Sequence, residues 1–206
     1  MGVLPNAHGV AVHDFWKSYQ KYDNVDHAMC CAHLEQELAY AYETGKQAWA
    51  KPLQELLQTL CHRRKVILSQ GGEAFPVSGL AGYLQRYNAL VEEGLSANPI
   101  SERIPGKRSR TGKGKFRCLL ERFRDFKDDI LRFTRDWRVP YTNNTAEQVI
   151  RCARVKEKVS GCFRTISGAR AFAQLLSFIT TAALRGVSSF DAIVHTFQGN
   201  ALTVLF

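Results

Sequence analysis

The chain has 206 residues, with 45% hydrophobic and 23% charged side chains. That is enough for one sizeable core or two small ones, and it excludes a globally disordered chain, a collagen-like repeat or a disulfide-knot scaffold. Lys and Arg total 28 against 19 Asp and Glu, a net charge of +9, and an excess of this size commonly marks a polyanionic partner.

Gly9-Val10-Ala11-Val12-His13, closed by Asp14, reads as a buried strand. A second short apolar piece, His27 to Cys31, turns helical at about His33. Strand, connection, strand and helix make an α/β opening. From residue 34 to about 137 a helical period takes over. Leu34, Leu38 and Ala41 form a first stripe, ended by Gly45. Pro52 suits the first turn of the next helix, ahead of Leu53, Leu56, Leu57 and Leu60. Leu80, Leu84, Tyr87 and Val91 make a third stripe, and Leu119, Phe123, Phe126, Ile130 and Trp137 a fourth. Between the last two, residues 98–115 mix Pro and Gly with many cations and predict a mobile surface loop.

After Pro140, Asn144-Thr145-Ala146-Glu147 has the form of a helix start, with Ala146, Val149, Ile150 and Ala153 predicted as its buried face. Ser160 to Phe163 breaks that helix. Ser167 is the expected cap of the next one, which carries Phe172, Leu175, Leu176 and Ile179 and ends at Gly186. Ser189 is the expected cap of the last. The fold class is therefore mainly α with a small α/β part. The segments are 1–33, with the strands; 34–138, a helical stretch carrying the basic loop 98–115; and 139–206, the C-terminal helices. No run approaches a membrane span, and residues 1–9 lack a secretory n-region, so a cytoplasmic location with reduced thiols is expected.

Two acids stand out chemically. Asp14 ends a strand, where α/β folds place their sites, although an aspartate also merely ends strands and starts turns. Glu147 completes a capping box with Asn144 and is placed to pair with Arg151. Arg151, Arg154 and Lys158 share its helical face, and Lys156, Arg164 and Arg170 follow, a cationic field suited to phosphate. In the basic loop, Arg103, Lys107, Arg108, Arg110, Lys113, Lys115 and Arg117 succeed one another without an acid between them. Seven phosphate contacts would each add about −0.9 to the slope of log affinity against log salt; a solvated charge run is the alternative. Cys30, Cys31 and His33, with His27 nearby, suit either zinc or buried thiols, and the remaining cysteines offer no clean second ligand pair. No Ser/His/Asp order, phosphate-binding glycine loop or dinucleotide fingerprint is present.

The run Val139-Pro-Tyr-Thr-Asn-Asn-Thr-Ala-Glu-Gln148, then Arg151, Val155 to Thr165, Gly168-Ala169 and Phe172, resembles the C-terminal signature of transposases of the insertion sequence 66 family. Val12-His13-Asp14 with Tyr19, Cys31-Ala32-His33-Leu34 with Glu37-Leu38, and Leu131-Arg132-Phe133 with Asp136-Trp137 extend the likeness over nearly the whole chain. The resemblance implies an incomplete ribonuclease-H-like core interrupted by a helical insertion. It also implies DDE chemistry, in which three carboxylates hold two Mg2+ ions. Asp14 corresponds to the second acid and Glu147 to the third. The partner implied is double-stranded DNA, at element ends and target, touched by Arg108, Arg110, Lys113, Lys115, Asn143, Asn144, Arg151, Arg154, Lys156, Lys158 and Arg164. Thr142 stands where the family often has Asp, and Gln148 where Arg is usual.

Only 13 residues precede Asp14, so the strand bearing the family's first acid is expected to be missing and the chain inactive alone, with at most weak binding of one ion. The rival reading is a non-catalytic DNA-binding remnant, or a regulator that joins an intact transposase or a second copy through its sheet edge. A zinc-dependent structural module is the third.

Overall fold

The computed structural model describes residues 6–72, 75–100 and 112–200. Strand β1 (Val10–His13) pairs in parallel with β2 (Asp26–Met29), in a register that sets Val10 beside Asp26 and His13 beside Met29. The ladder runs one bond further at each end, from Asp26 N to the Gly9 carbonyl and from Cys30 N to the His13 carbonyl, both 2.8 Å. A parallel pair needs a crossover rather than a tight turn; here residues 14–25 supply it, folded around a 3-10 turn at Tyr19–Lys21.

Five helices follow in the same unit: α1 (Cys31–Glu43), α2 (Ala50–Ser69), α3 (Val77–Ala97), α4 (Lys115–Asp125) and the single turn α5 (Lys127–Ile130). The predicted stripes are the buried ones. Leu34, Leu38 and Ala41 on α1 meet Leu53, Leu56, Leu57 and Leu60 on α2, with Tyr87 and Val91 on α3 and Leu119, Leu120 and Phe123 on α4 completing the cluster. Pro52 falls in the first turn of α2, where its missing N–H costs nothing. Gly94 lets α3 approach α4 closely: a β-carbon there would lie 2.5 Å from Cδ2 of Leu120.

The fourth stripe is not one helix. At Phe126 the backbone leaves the helical region (φ −111°, ψ 27°), and α5 and a 3-10 turn at Arg132–Thr134 carry the chain onward. The Phe126 ring meets Phe15 edge-on at 4.6 Å, and Ile130, Leu131 and Phe133 all reach the core; tertiary packing has overridden the local period. Met29, Ala28 and Val139 belong to the same cluster as the helices, with Val10 and Val12 packed against it. Segments 1–33 and 34–138 thus share one core, and the compact unit extends to Asn143.

The second unit, from Asn144 on, holds α6 (Asn144–Ser160), α7 (Ile166–Leu184) and α8 (Ser189–Phe197). Thr165, not Ser167, caps α7: its backbone is extended and its hydroxyl accepts from Gly168 N at 3.0 Å. Ser188, not Ser189, caps α8 through Asp191 N at 3.1 Å. Gly161 (φ +74°) and Gly186 (φ +79°) take the left-handed turns after α6 and α7 that side chains disfavour. The expected buried face of α6 is not buried. Ala146 and Ile150 are exposed, Ile150 at 53%, and Val149 and Ala153 are half-covered. Among the described residues of this unit only Ala182 and Ala192 are fully buried, with Phe178 and Val187 packed against them.

Candidate active site and phosphate-facing surface

Asp14 stands at the C-terminal edge of β1, as the strand pattern predicts. Its Oδ1 accepts from Trp16 N at 3.3 Å, and it forms no ion pair among the described residues. The residue before it is the buried one. His13 is 3% exposed, its ring stacked on Tyr19 at 4.5 Å. Its Nδ1 contacts the Asp14 carbonyl oxygen, and its Nε2 lies 2.9 Å from Nδ1 of His27. Burial holds the His13 imidazole below its ordinary value; His27 adds to that, and the Asp14 carbonyl opposes it. Arg132 closes the network: Nε donates to the His27 carbonyl at 2.7 Å, and its other nitrogens face Asp26 at 3.5 Å and Asp129 at 3.4 Å.

The chain returns to this edge just before α6. Cys31 N donates to the Tyr141 carbonyl at 3.0 Å, Asn143 N points to Cys30 Sγ at 3.4 Å, and Tyr141 OH donates to Oε1 of Glu35. Asn143 is therefore tied to the end of β2, and its Oδ1 is buried without a hydrogen-bond partner among the described residues. Burial, with Glu35 close by, pushes the Tyr141 phenol far above its ordinary value.

Glu147 lies half-buried in the first turn of α6, where a carboxylate suits the positive end of the helix. Arg151, Arg154, Lys156 and Lys158 are all exposed along α6, and Arg164 is exposed in the loop after it. Lys156 reaches Ser160 Oγ at 3.0 Å, and none of the five forms an ion pair among the described residues. Asn144, the first residue of α6, is exposed. The basic loop is different. Arg103, Lys107, Arg108 and Arg110 lie outside the described residues. Lys113 binds Glu121 at 2.7 Å, Arg117 binds the same carboxylate at 3.2 Å, and Lys115 sits 3.9 Å over the Tyr40 ring.

Cys30 and Cys31 are buried. Cys31 Sγ points to the carbonyls of Met29 and Ile130, and burial raises its thiol well above the ordinary value. No group of three His, Cys, Asp or Glu able to hold a metal occurs among the described residues. In kind, Asp14 fits a hard divalent cation, being a carboxylate with no cation paired to it among the described residues; in number, these residues supply only part of an oxygen cage.

The pairing of His13 with His27 escaped the sequence reading. Both residues were visible beside the strands. Their contact follows only from the parallel register, which sets Met29 opposite His13 and leaves His27 two positions earlier on the same face.

The sequence profile of the family described as Transposase IS66 matches residues 2–171. The chain belongs to that family. No curated protein and no solved structure matches it. Membership in the IS66 transposases gives the chain a role in DNA transposition, and the blocks around Asp14 and Glu147 both lie within the matched span. No helix among the described residues is long and apolar enough to cross a membrane.

Proposed function

We propose that this IS66-family chain supplies two of the three carboxylates of a DDE-type centre, Asp14 and Glu147, on a ribonuclease-H-like core that cleaves and joins DNA phosphodiesters. The observation that carries the reading is the edge of the parallel strands. Asp14 follows β1 there without an ion pair among the described residues, and Tyr141 and Asn143 are bonded to Cys31 and Cys30 at the end of β2, with Asn143 four residues ahead of Glu147. Acids at the carboxyl ends of parallel strands are where α/β folds do their chemistry. Two Mg2+ ions held by the full carboxylate set would neutralise charge at the scissile phosphate and activate the attacking oxygen.

The chain's own residues do the rest. Asp14 and Glu147 offer oxygen ligands, and Arg151, Arg154, Lys156, Lys158 and Arg164 hold backbone phosphates of element ends and target, with Asn143 and Asn144 assigned to the same task. Arg108, Arg110, Lys113 and Lys115 belong to the same proposed DNA surface; Lys113 would have to exchange Glu121 for phosphate. With two acids assigned, the chain by itself binds at most one ion weakly and does not cut DNA. The exposed apolar side chains of the second unit, among them Phe197 at 89% and Phe190 at 74%, support association with a second copy or with an intact transposase.

The test is Mn2+ binding and DNA binding measured in parallel on the wild type, Asp14→Ala and Glu147→Ala. Both variants are expected to lose Mn2+ and keep DNA. Equal Mn2+ binding in all three defeats the metal reading and leaves the non-catalytic DNA-binding alternative. Nicking or strand transfer by the purified 206-residue chain with Mg2+ or Mn2+ defeats the proposed inactivity.

A further inference from the structure

A groove of about 380 Å³ lies between α2 and α3, within the first unit and lined by none of the residues assigned above. Its walls are apolar and aromatic. Val66, 37% exposed, and Ile67 face it from α2, and half-buried Tyr83 faces it from α3. Phe75, set edge-on to Trp137 at 6.1 Å, lines it from the segment between the two helices. Gly79 leaves the α3 side open, since a β-carbon there would meet nothing within 4 Å. The rim is cationic. His62 and Arg63 are exposed on α2, and the Arg63 guanidinium lies 5.3 Å over the Tyr83 ring. On α3, Gly79, Tyr83 and Arg86 fall at i, i+4 and i+7, so the exposed Arg86 continues the Tyr83 row. Arg64, by contrast, is used inward and donates to the Trp137 carbonyl. Neither Arg63 nor Arg86 forms an ion pair among the described residues, and from Leu56 to Leu90 the sequence holds a single acid, Glu73, which lies outside them. Cations around an aromatic face are the pattern that holds a single strand of nucleic acid: phosphates are drawn to the charges and a base lies on the ring. The apolar walls offer nothing for a phosphate to bond, so the phosphate belongs at the rim and the base inside.

We propose that the groove between α2 and α3 binds an unpaired nucleotide of DNA: the base stacks on Tyr83 in the place Arg63 now occupies, and Arg63 and Arg86 turn to the flanking phosphates. The inference rests on the family's action on DNA and on neither Asp14 nor Glu147. Every base has a π face, so the groove holds a strand without reading its sequence. Duplex DNA, whose bases already stack on one another, has none to offer it.

The experiment uses the full chain in EDTA, so that no metal contributes, and follows binding of a labelled oligothymidylate and of a duplex of equal length by fluorescence anisotropy. Circular dichroism shows that each variant is folded. Tyr83→Ala is expected to weaken oligothymidylate binding about tenfold and leave duplex binding unchanged, and Tyr83→Phe to keep both. Gly79→Leu, which fills the groove and removes no contact, is expected to act like Tyr83→Ala. Replacing Arg63 and Arg86 together by Gln should flatten the salt slope for the single strand by about 0.7 per phosphate released. An oligonucleotide carrying 5-iodouracil should crosslink on irradiation to Tyr83 or Phe75 of the wild type; that readout does not depend on any variant folding. Unchanged oligothymidylate binding in folded Gly79→Leu, equal losses of single strand and duplex in folded Tyr83→Ala, an unaltered salt slope, or crosslinks confined to other segments overturns the nucleotide site while the DNA surface proposed on α6 stands. A Tyr83→Ala chain that changes in sedimentation and not in nucleotide binding makes the groove a protein contact and overturns the proposal as well. A wild type that binds neither DNA overturns both readings.

Discussion

The two units differ in how they treat charge and apolar surface. In the first, some cations are paired, Lys113 and Arg117 with Glu121, Arg122 with Glu37, Arg124 with Asp125, Arg132 with Asp26 and Asp129, Arg135 with Asp128, and Arg138 with Asp136, while others, such as Lys51, Arg63 and Arg86, form no ion pair among the described residues. Its leucines are interred, with Leu38, Leu53, Leu57, Leu60 and Leu120 at 0% exposure. In the second, Arg151, Arg154, Lys158, Arg164 and Arg170 form no ion pair among the described residues, and apolar side chains as large as Phe190 and Phe197 face outward. Among the described residues, the cations of the first unit include paired ones and those of the second include none.

The sharpest break of this contrast is a matched pair of core truncations. Leu57→Ala is expected to cost the first unit about 2 to 5 kcal/mol in urea unfolding, whereas Leu175→Ala, at a position 60% exposed, stays within about 0.5 kcal/mol; similar losses at both sites would erase the distinction. Next comes charge. Replacing Arg151, Arg154 and Lys158 together by Ala should flatten the salt dependence of DNA binding by about 0.9 for each phosphate left without its cation. The same treatment of the paired Arg124, Arg135 and Arg138 should leave the slope where it was, and filter-binding titrations across salt concentrations decide between them.

Thr165→Ala removes the cap of α7 and should cost about 1 kcal/mol, seen as faster hydrogen exchange at Gly168, with little change in the first unit. The smallest effect concerns pH. Lys113 holds the Glu121 carboxyl below its ordinary value; burial opposes it, and Arg117 adds to the lowering. Its folded value is depressed, so its contribution is present above the unfolded value of about 4.3 and disappears as pH falls through the folded one. Glu121→Gln should therefore narrow the difference in melting temperature between neutral and acid solution.

The strands and the first three stripes were legible because each buries a regular face against a partner in the same unit: the alternation up to Asp14, the leucines of α1 and α2, and the Leu80 to Val91 row. The break at Phe126 was not legible, since no Pro or Gly marks it and the ring it packs against, Phe15, is more than a hundred residues away in sequence. The same periodic logic misled on α6, where Ile150 has the spacing of a buried residue yet stays 53% exposed. Of the site, Asp14 was visible from its place at a strand end. The pairing behind it, His13 with His27, depended on a register that sequence does not encode locally.

The cysteines are distributed in a way that makes the chain report on its own integrity. Cys30 and Cys31 are enclosed beside the strand ends, Cys61 is partly covered, and Cys118, Cys152 and Cys162 are open to solvent. An alkylating reagent added to the native protein would consume the last three first and leave the enclosed pair until the sheet edge that carries Asp14 comes apart, so the extent of labelling would time the opening of that edge without any engineered probe.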